Sequence, residues 1–123
     1  MRATLAVLLV LSSACATGRS AGTTKIDRNL ITQQQIAEHR FQTAFEAVEA
    51  LHSNWLQERG VDSANQPTKV QVYLDNTRLG GTETLRTVNV VGVTYIRFYD
   101  GVAASARWGL DHGQGVIYVS THP

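Results

Sequence analysis

Val93-Thr94-Tyr95-Ile96-Arg97-Phe98-Tyr99 and Val116-Ile117-Tyr118-Val119-Ser120 flank a short Ala-rich segment and a glycine loop. Both runs are rich in β-branched and aromatic residues and are bounded by Gly, Asp and Thr, which marks them as strands. Upstream, Lys69-Val70-Gln71-Val72-Tyr73-Leu74 alternates Val70, Val72 and Leu74 with longer amphipathic side chains. That is a strand with one buried face. Asp75-Asn76 suits a turn, and Arg78-Leu79 returns as a short strand before Gly80-Gly81. Val102 to Arg107 is short and Ala-rich and reads as one or two helical turns. Thr82 to Arg86 reads as a single helical turn.

The helical signal lies before these strands. Thr32-x-x-Gln35 is a capping box, with Ile31 and Ile36 at the hydrophobic-staple positions. Phe41, Phe45, Val48, Leu51 and Trp55 recur at spacings of three and four, one face of a helix that meets the core. The five-residue step from Ile36 to Phe41 slips the phase, and Thr43-x-x-Glu46 offers a second cap. The reading is a short helix near 33–38, a break, and a longer helix near 43–55, with one continuous helix as the alternative. Gly60 ends the helical region, and 62–67 form a loop. The fold class is α+β, with N-terminal helices followed by a small mixed β-sheet.

The amino terminus has its own logic. Met1-Arg2 is a charged start, residues 3–11 (ATLAVLLVL) are apolar, and Ser12-Ser13-Ala14 lead to Cys15. This is the layout of a secretory signal. The apolar run falls well short of the roughly 20 residues that span a bilayer. Leu11-Ser12-Ser13-Ala14-Cys15 resembles a bacterial lipobox, with Ser12 where Leu is commonest. That resemblance implies cleavage before Cys15 and acylation of the new terminus. The other reading is cleavage after Ala14-Cys15-Ala16. A lone cysteine has no disulfide partner in the chain, and several acyl chains hold a protein on a membrane where one is marginal. Residues 1–14 are thus expected to be a lipoprotein-type signal peptide, 15–29 a flexible tether of small and polar residues, and 30–123 one domain. Ala16, in place of an Asp, points to the periplasmic face of the outer membrane; a soluble periplasmic or secreted protein is the alternative.

Composition narrows the functions. Eleven basic and ten acidic residues give a net charge of +1 with no block of like charge, so no footprint for nucleic acid is present. A membrane β-barrel needs about eight strands of about ten residues, and the alternating segments are too few. His39, His52, His112 and His122 show no metal-ligand spacing, and no metal or cofactor is expected. Asp111-His112 lies in the loop Gly109-x-x-x-Gly113-x-Gly115. An Asp can orient a His, but no nucleophile is placed beside the pair in sequence, and it reads as solvated. The loop lacks the Lys-Ser/Thr ending of a phosphate-binding loop. Tyr73, Tyr95, Tyr99 and Tyr118 lie on strands, where cross-strand pairing is the first expectation and an exposed binding patch the second.

The order of the pieces carries a family resemblance. Val72 to Gly80 is similar to the "V-x-V-D-G-x-x-x-G" hairpin of the plug domain of TonB-dependent outer-membrane receptors. Thr87-Val88 stands where those plugs have "I-P", and Val93 to Tyr99 matches their "I-E-x-I-E-V-L" strand. Asp100 to Gly109 resembles "G-P-A-S-A-L-Y-G", with Val102 in place of the proline. Gly113 to Thr121 resembles "G-G-V-I-N-I-x-T". The upstream helices resemble the plug's start, so the likeness runs from about residue 30 to 121. It implies a plug-like fold in which Asp75, Gly80, Trp108, Gly109, Gly113 and Gly115 are structural positions. The chain stops at Pro123 without a barrel, and the tether carries no TonB-box segment. The expectation is a non-enzymatic envelope lipoprotein: an interaction or ligand-uptake accessory module, held to the membrane by its lipid anchor, whose partner is an outer-membrane barrel or another envelope protein. A small-ligand binding lipoprotein facing the periplasm is the alternative, with an envelope enzyme third.

Overall fold

The computed structural model describes residues 26–58 and 69–123. The expected signal, Cys15, most of the expected tether, Gly60 and the expected 62–67 loop lie outside the described residues. The chain pairs before it turns helical. β1 (Leu30–Thr32) precedes α1 (Gln33–His39) and lies antiparallel to β4 (Tyr95–Tyr99), with Ile31 opposite Ile96. The expected order, helices first and then a sheet, is corrected here: a strand opens the domain. Three residues are too few for alternation to declare itself, and two of them double as the staple and cap of the following helix. Asp27 and Asn29 also join this edge, through the Asp27–Arg97 ion pair at 3.5 Å and the bond from Phe98 N–H to the Asn29 carbonyl.

The caps form largely as the sequence dictates. Thr32 Oγ1 accepts from Gln35 N–H, and Gln35 Oε1 accepts from Thr32 N–H at 2.9 Å. Arg40, in the left-handed region at φ 54°, ends α1. α2 (Ala44–His52) starts at Thr43, whose hydroxyl accepts from Glu46 N–H. The Glu46 carboxylate accepts from Gln42 N–H instead of closing a reciprocal box. α2 gives way at Ser53–Leu56 to a 3₁₀ turn that places Trp55 in the core.

The remaining elements are β2 (Gln71–Leu74), β3 (Thr77–Gly80), a 3₁₀ turn at Thr82–Thr87, α3 (Gly101–Trp108), a 3₁₀ turn at Leu110–His112, and β5 (Val116–Ser120). The five strands form one mixed sheet in the order β1-β4-β5-β2-β3. β2 and β5 run parallel, and every other pair is antiparallel. β5 is central, and all five of its residues are buried, because helices cover both faces. Ile117 and Val119 meet Ile31, Ile36, Val48, Trp55 and Phe98 on the α1/α2 side. Val116 and Tyr118 meet Tyr73, Ala104 and Trp108 on the α3 side. The stripe expected as core is there, with Phe41, Phe45 and Leu51 half-buried around buried Val48 and Trp55. Among the described residues no helix is long and apolar enough to cross a membrane.

Candidate functional site

The residues singled out by motif fall at the two ends of the parallel pair β2–β5: Asp75 follows β2 where β5 also ends, and Trp108 to Gly115 lead into the start of β5. Asp75, at φ 52°, opens the β2–β3 turn. Its carboxylate does not bond its own turn, as its type allowed. It accepts from Thr121 N–H at 2.9 Å and from Thr121 O–H at 2.7 Å, pinning the hairpin to the end of β5. The hydroxyl bond holds the Asp75 carboxyl below the ordinary aspartate range. Gly80 closes β3 beyond a register shift at Val72/Tyr73.

The glycine loop folds as two distinct devices. Gly115 has φ 103°, and a Cβ there would stand 2.7 Å from the Tyr99 carbonyl oxygen and 2.8 Å from the Phe98 ring. Only glycine lets β5 enter this close to β4. Gly109, at φ 113°, terminates α3, and its N–H bonds the Ser105 carbonyl at 2.9 Å. Gly113 sits in the right-handed helical region at φ −59°. Its carbonyl lies directly over Gly101, where a side chain would overlap it.

Inside this loop the Asp111-His112 pair is solvated at Asp111 alone, and the expectation for His112 is corrected. His112 is 1% exposed, whereas the Asp111 side chain is 54% exposed. His112 Nδ1 faces two acceptors, Asp111 Oδ1 at 2.7 Å and the Gly109 carbonyl at 3.2 Å. Nδ1 therefore carries a proton, and in the neutral ring Nε2 accepts the Tyr73 hydroxyl at 2.9 Å. Asp111 Oδ2 accepts from the Arg78 guanidinium at 3.0 Å, and this bond draws the Asp111 carboxyl below its usual range. Arg78 Nε in turn donates to Gln71 Oε1 at 3.2 Å. A continuous relay results: Arg78, Asp111, His112, Tyr73. The third partner missing from the local sequence is supplied by β2 and β3. Tyr73 is 39 residues from His112 and Arg78 is 33 from Asp111, so no local signal announces either.

Trp108 is the hub beside this relay. It stacks on Tyr73 with centroids 5.1 Å apart, meets the edge of Tyr99 at 5.1 Å, and lies 6.1 Å from Tyr118. Tyr118 continues the contact to Tyr95 and Tyr99, each at 6.3 Å. Cross-strand pairing of the tyrosines thus holds between β4 and β5. Burial pushes the Tyr118 phenol up. The Arg107 guanidinium lies over Trp108 at 4.6 Å and donates to Tyr99 Oη at 3.0 Å.

Of the other histidines, His39 stacks on Phe41 and His52 stacks on Trp55 at 4.3 Å. Burial lowers the His52 pKa. Among the described residues no group of three His, Cys, Asp or Glu side chains is placed to hold a metal ion. Among the described residues four large apolar side chains stand outside the core: Ile26 at 76% exposure, Val91 at 86%, Val102 at 84% and Leu110 at 92%. No family model, curated protein or solved structure matches the chain.

Proposed function

We propose that this protein is an exported, lipid-anchored envelope protein whose plug-like domain works as a non-enzymatic interaction or ligand-uptake accessory module. The observation that supports this reading most is the tie between Asp75 and Thr121. It joins the first and last strand segments of the plug resemblance, and Gly113 packs on Gly101 between them. Contact between the resembling segments supports reading them together as one unit. Exposed Val102 lies in the first turn of α3 and exposed Leu110 just beyond its last residue, and exposed apolar residues mark interaction surfaces when they cluster. Fold alone does not set function, so the reading is tested in the cell. The full-length protein is crosslinked in its own envelope and the captured proteins are identified. An outer-membrane barrel or uptake component supports the module. Capture of nothing, or only of the protein itself, removes it.

The small-ligand alternative has one observation in its favour. A shallow, open depression of about 490 Å³, bordered by Asp100, Gly101, Val102, Ser105 and Gly113, lies beside the start of α3. Native mass spectrometry of protein purified from its own envelope checks it. A bound small molecule of discrete mass favours this reading, and the bare chain counts against it.

A further inference from the structure

The relay and the aromatic network combine into a chemistry that neither has alone. The chain's single Met and single Cys are Met1 and Cys15, so residues 26–123 contain neither thiol nor thioether. The electron-rich groups of the domain are its rings. All four tyrosines and Trp108 share the α3 side of the sheet, linked by centroid separations of 5.1–6.3 Å.

We propose that Tyr73 and His112 form a proton-coupled redox pair, a sink for one-electron oxidation, with Trp108 as the conduit to the more exposed tyrosines. A phenol that loses an electron becomes strongly acidic, so its oxidation requires a base within hydrogen-bond reach of the O–H proton. Tyr73 has such a base. His112 Nε2 lies 2.9 Å from Tyr73 Oη, the Gly109 carbonyl accepts from the opposite ring nitrogen at 3.2 Å, and Asp111 Oδ1 stands 2.7 Å from that nitrogen, ready to pair with the ring once it is protonated. Tyr99 Oη instead meets the Arg107 guanidinium, a donor that takes no proton.

A small one-electron oxidant, such as an oxidising radical, takes one electron from the network and is reduced. Tyr73 gives up that electron through Trp108. Its O–H bond breaks, and the proton passes to His112 Nε2. The products are a neutral Tyr73 phenoxyl radical and an imidazolium backed by the Asp111 carboxylate. The position of Arg107 favours this destination. Its cation lies 5.4, 4.6 and 5.2 Å from the Tyr99, Trp108 and Tyr118 rings and disfavours positive charge coming to rest on them, so Trp108 passes the electron without keeping the charge. At Tyr73 the positive charge departs as a proton toward a carboxylate.

The test uses the full chain, with a ruthenium(II) polypyridyl photo-oxidant and a sacrificial electron acceptor in solution. Transient absorption and electron paramagnetic resonance read the radical. The expected result is a neutral tyrosyl radical that Tyr73→Phe removes, and that His112→Gln forms roughly 10²-fold more slowly, the scale of losing a positioned base. A radical unchanged in Tyr73→Phe, or formed at the wild-type rate in His112→Gln, overturns the assignment. Circular dichroism checks that each variant folds. Should either variant fail to fold, the wild-type protein decides: formation slower in deuterium oxide than in water supports a coupled proton transfer, and equal rates overturn it.

Discussion

Replacing Gly115 by Ala adds one carbon at the point where β5 enters the sheet. Two separable costs arise. The first is backbone strain, because at φ 103° an L-residue pays about 1–2 kcal/mol. The second is steric. The new Cβ would stand 2.7 Å from the Tyr99 carbonyl oxygen and 2.8 Å from Phe98 Cζ. Tyr99 is strand backbone and Phe98 is packed in the main core, so neither yields freely, and overpacking of this kind costs about 1–3 kcal/mol. Together they come to about 2–5 kcal/mol, a large share of the 5–15 kcal/mol typical of a domain. Gly92 is an internal control. It has φ 85°, yet a Cβ there meets nothing within 4 Å, so Gly92→Ala carries the backbone cost alone. Urea unfolding of both variants, followed by circular dichroism, separates the two. With a slope of about 1–1.5 kcal/mol per molar for a small domain, Gly115→Ala lowers the midpoint by about 1.3–5 M and Gly92→Ala by about 0.7–2 M. Equal shifts in the two variants would refute the close approach of β5 to β4.

Asp75 has a depressed folded pKa, so its stabilisation is fully present above the ordinary aspartate value of about 3.9 and is lost as pH falls through the folded value. Asp75→Asn is therefore less stable than wild type at neutral pH, and the gap closes below about pH 4. A gap independent of pH contradicts the Thr121 bonds as its origin. Trp55→Ala empties the space between His52 and Phe98 and costs about 3–5 kcal/mol in a denaturation curve, whereas a loss under about 1 kcal/mol contradicts its core placement. Thr32→Ala removes the cap of α1 and costs about 1 kcal/mol, and because Thr32 also pairs with Tyr95, amide exchange should quicken in both β1 and α1. Exchange that quickens in α1 alone would separate the strand from the cap.

What the sequence discloses is what its short-range patterns encode. Val70, Val72 and Leu74 alternate within a few residues, and the Phe41-to-Trp55 stripe repeats every turn, so a local stretch of chain is enough to show their buried faces. The phase slip after Ile36 foretells the break at Arg40 for the same reason. β1 is hidden because Leu30-Ile31-Thr32 is too short to show a period, and its partner lies across the chain at Tyr95–Arg97. His112 looks solvated beside Asp, Gly and Gln. What buries it is Tyr73, brought in by the parallel pairing of β2 and β5, and non-local pairing leaves no trace in a local window. Asp75 follows the same rule. Its residue type announces a turn, but its bonding partner is 46 residues away.

A plug-like domain that serves as an interaction module must present a surface to another envelope protein. The most direct measurement places a photo-crosslinking amino acid singly at Val91, Val102 and Leu110, three of the exposed apolar positions, in the full-length protein in its own cells. Illumination is followed by mass spectrometry of each adduct. The proposed function predicts an adduct with an outer-membrane barrel or other envelope protein from Val102 or Leu110, beside α3, and none from Val91. The absence of an adduct at all three positions, with each variant present at the wild-type level, would contradict it.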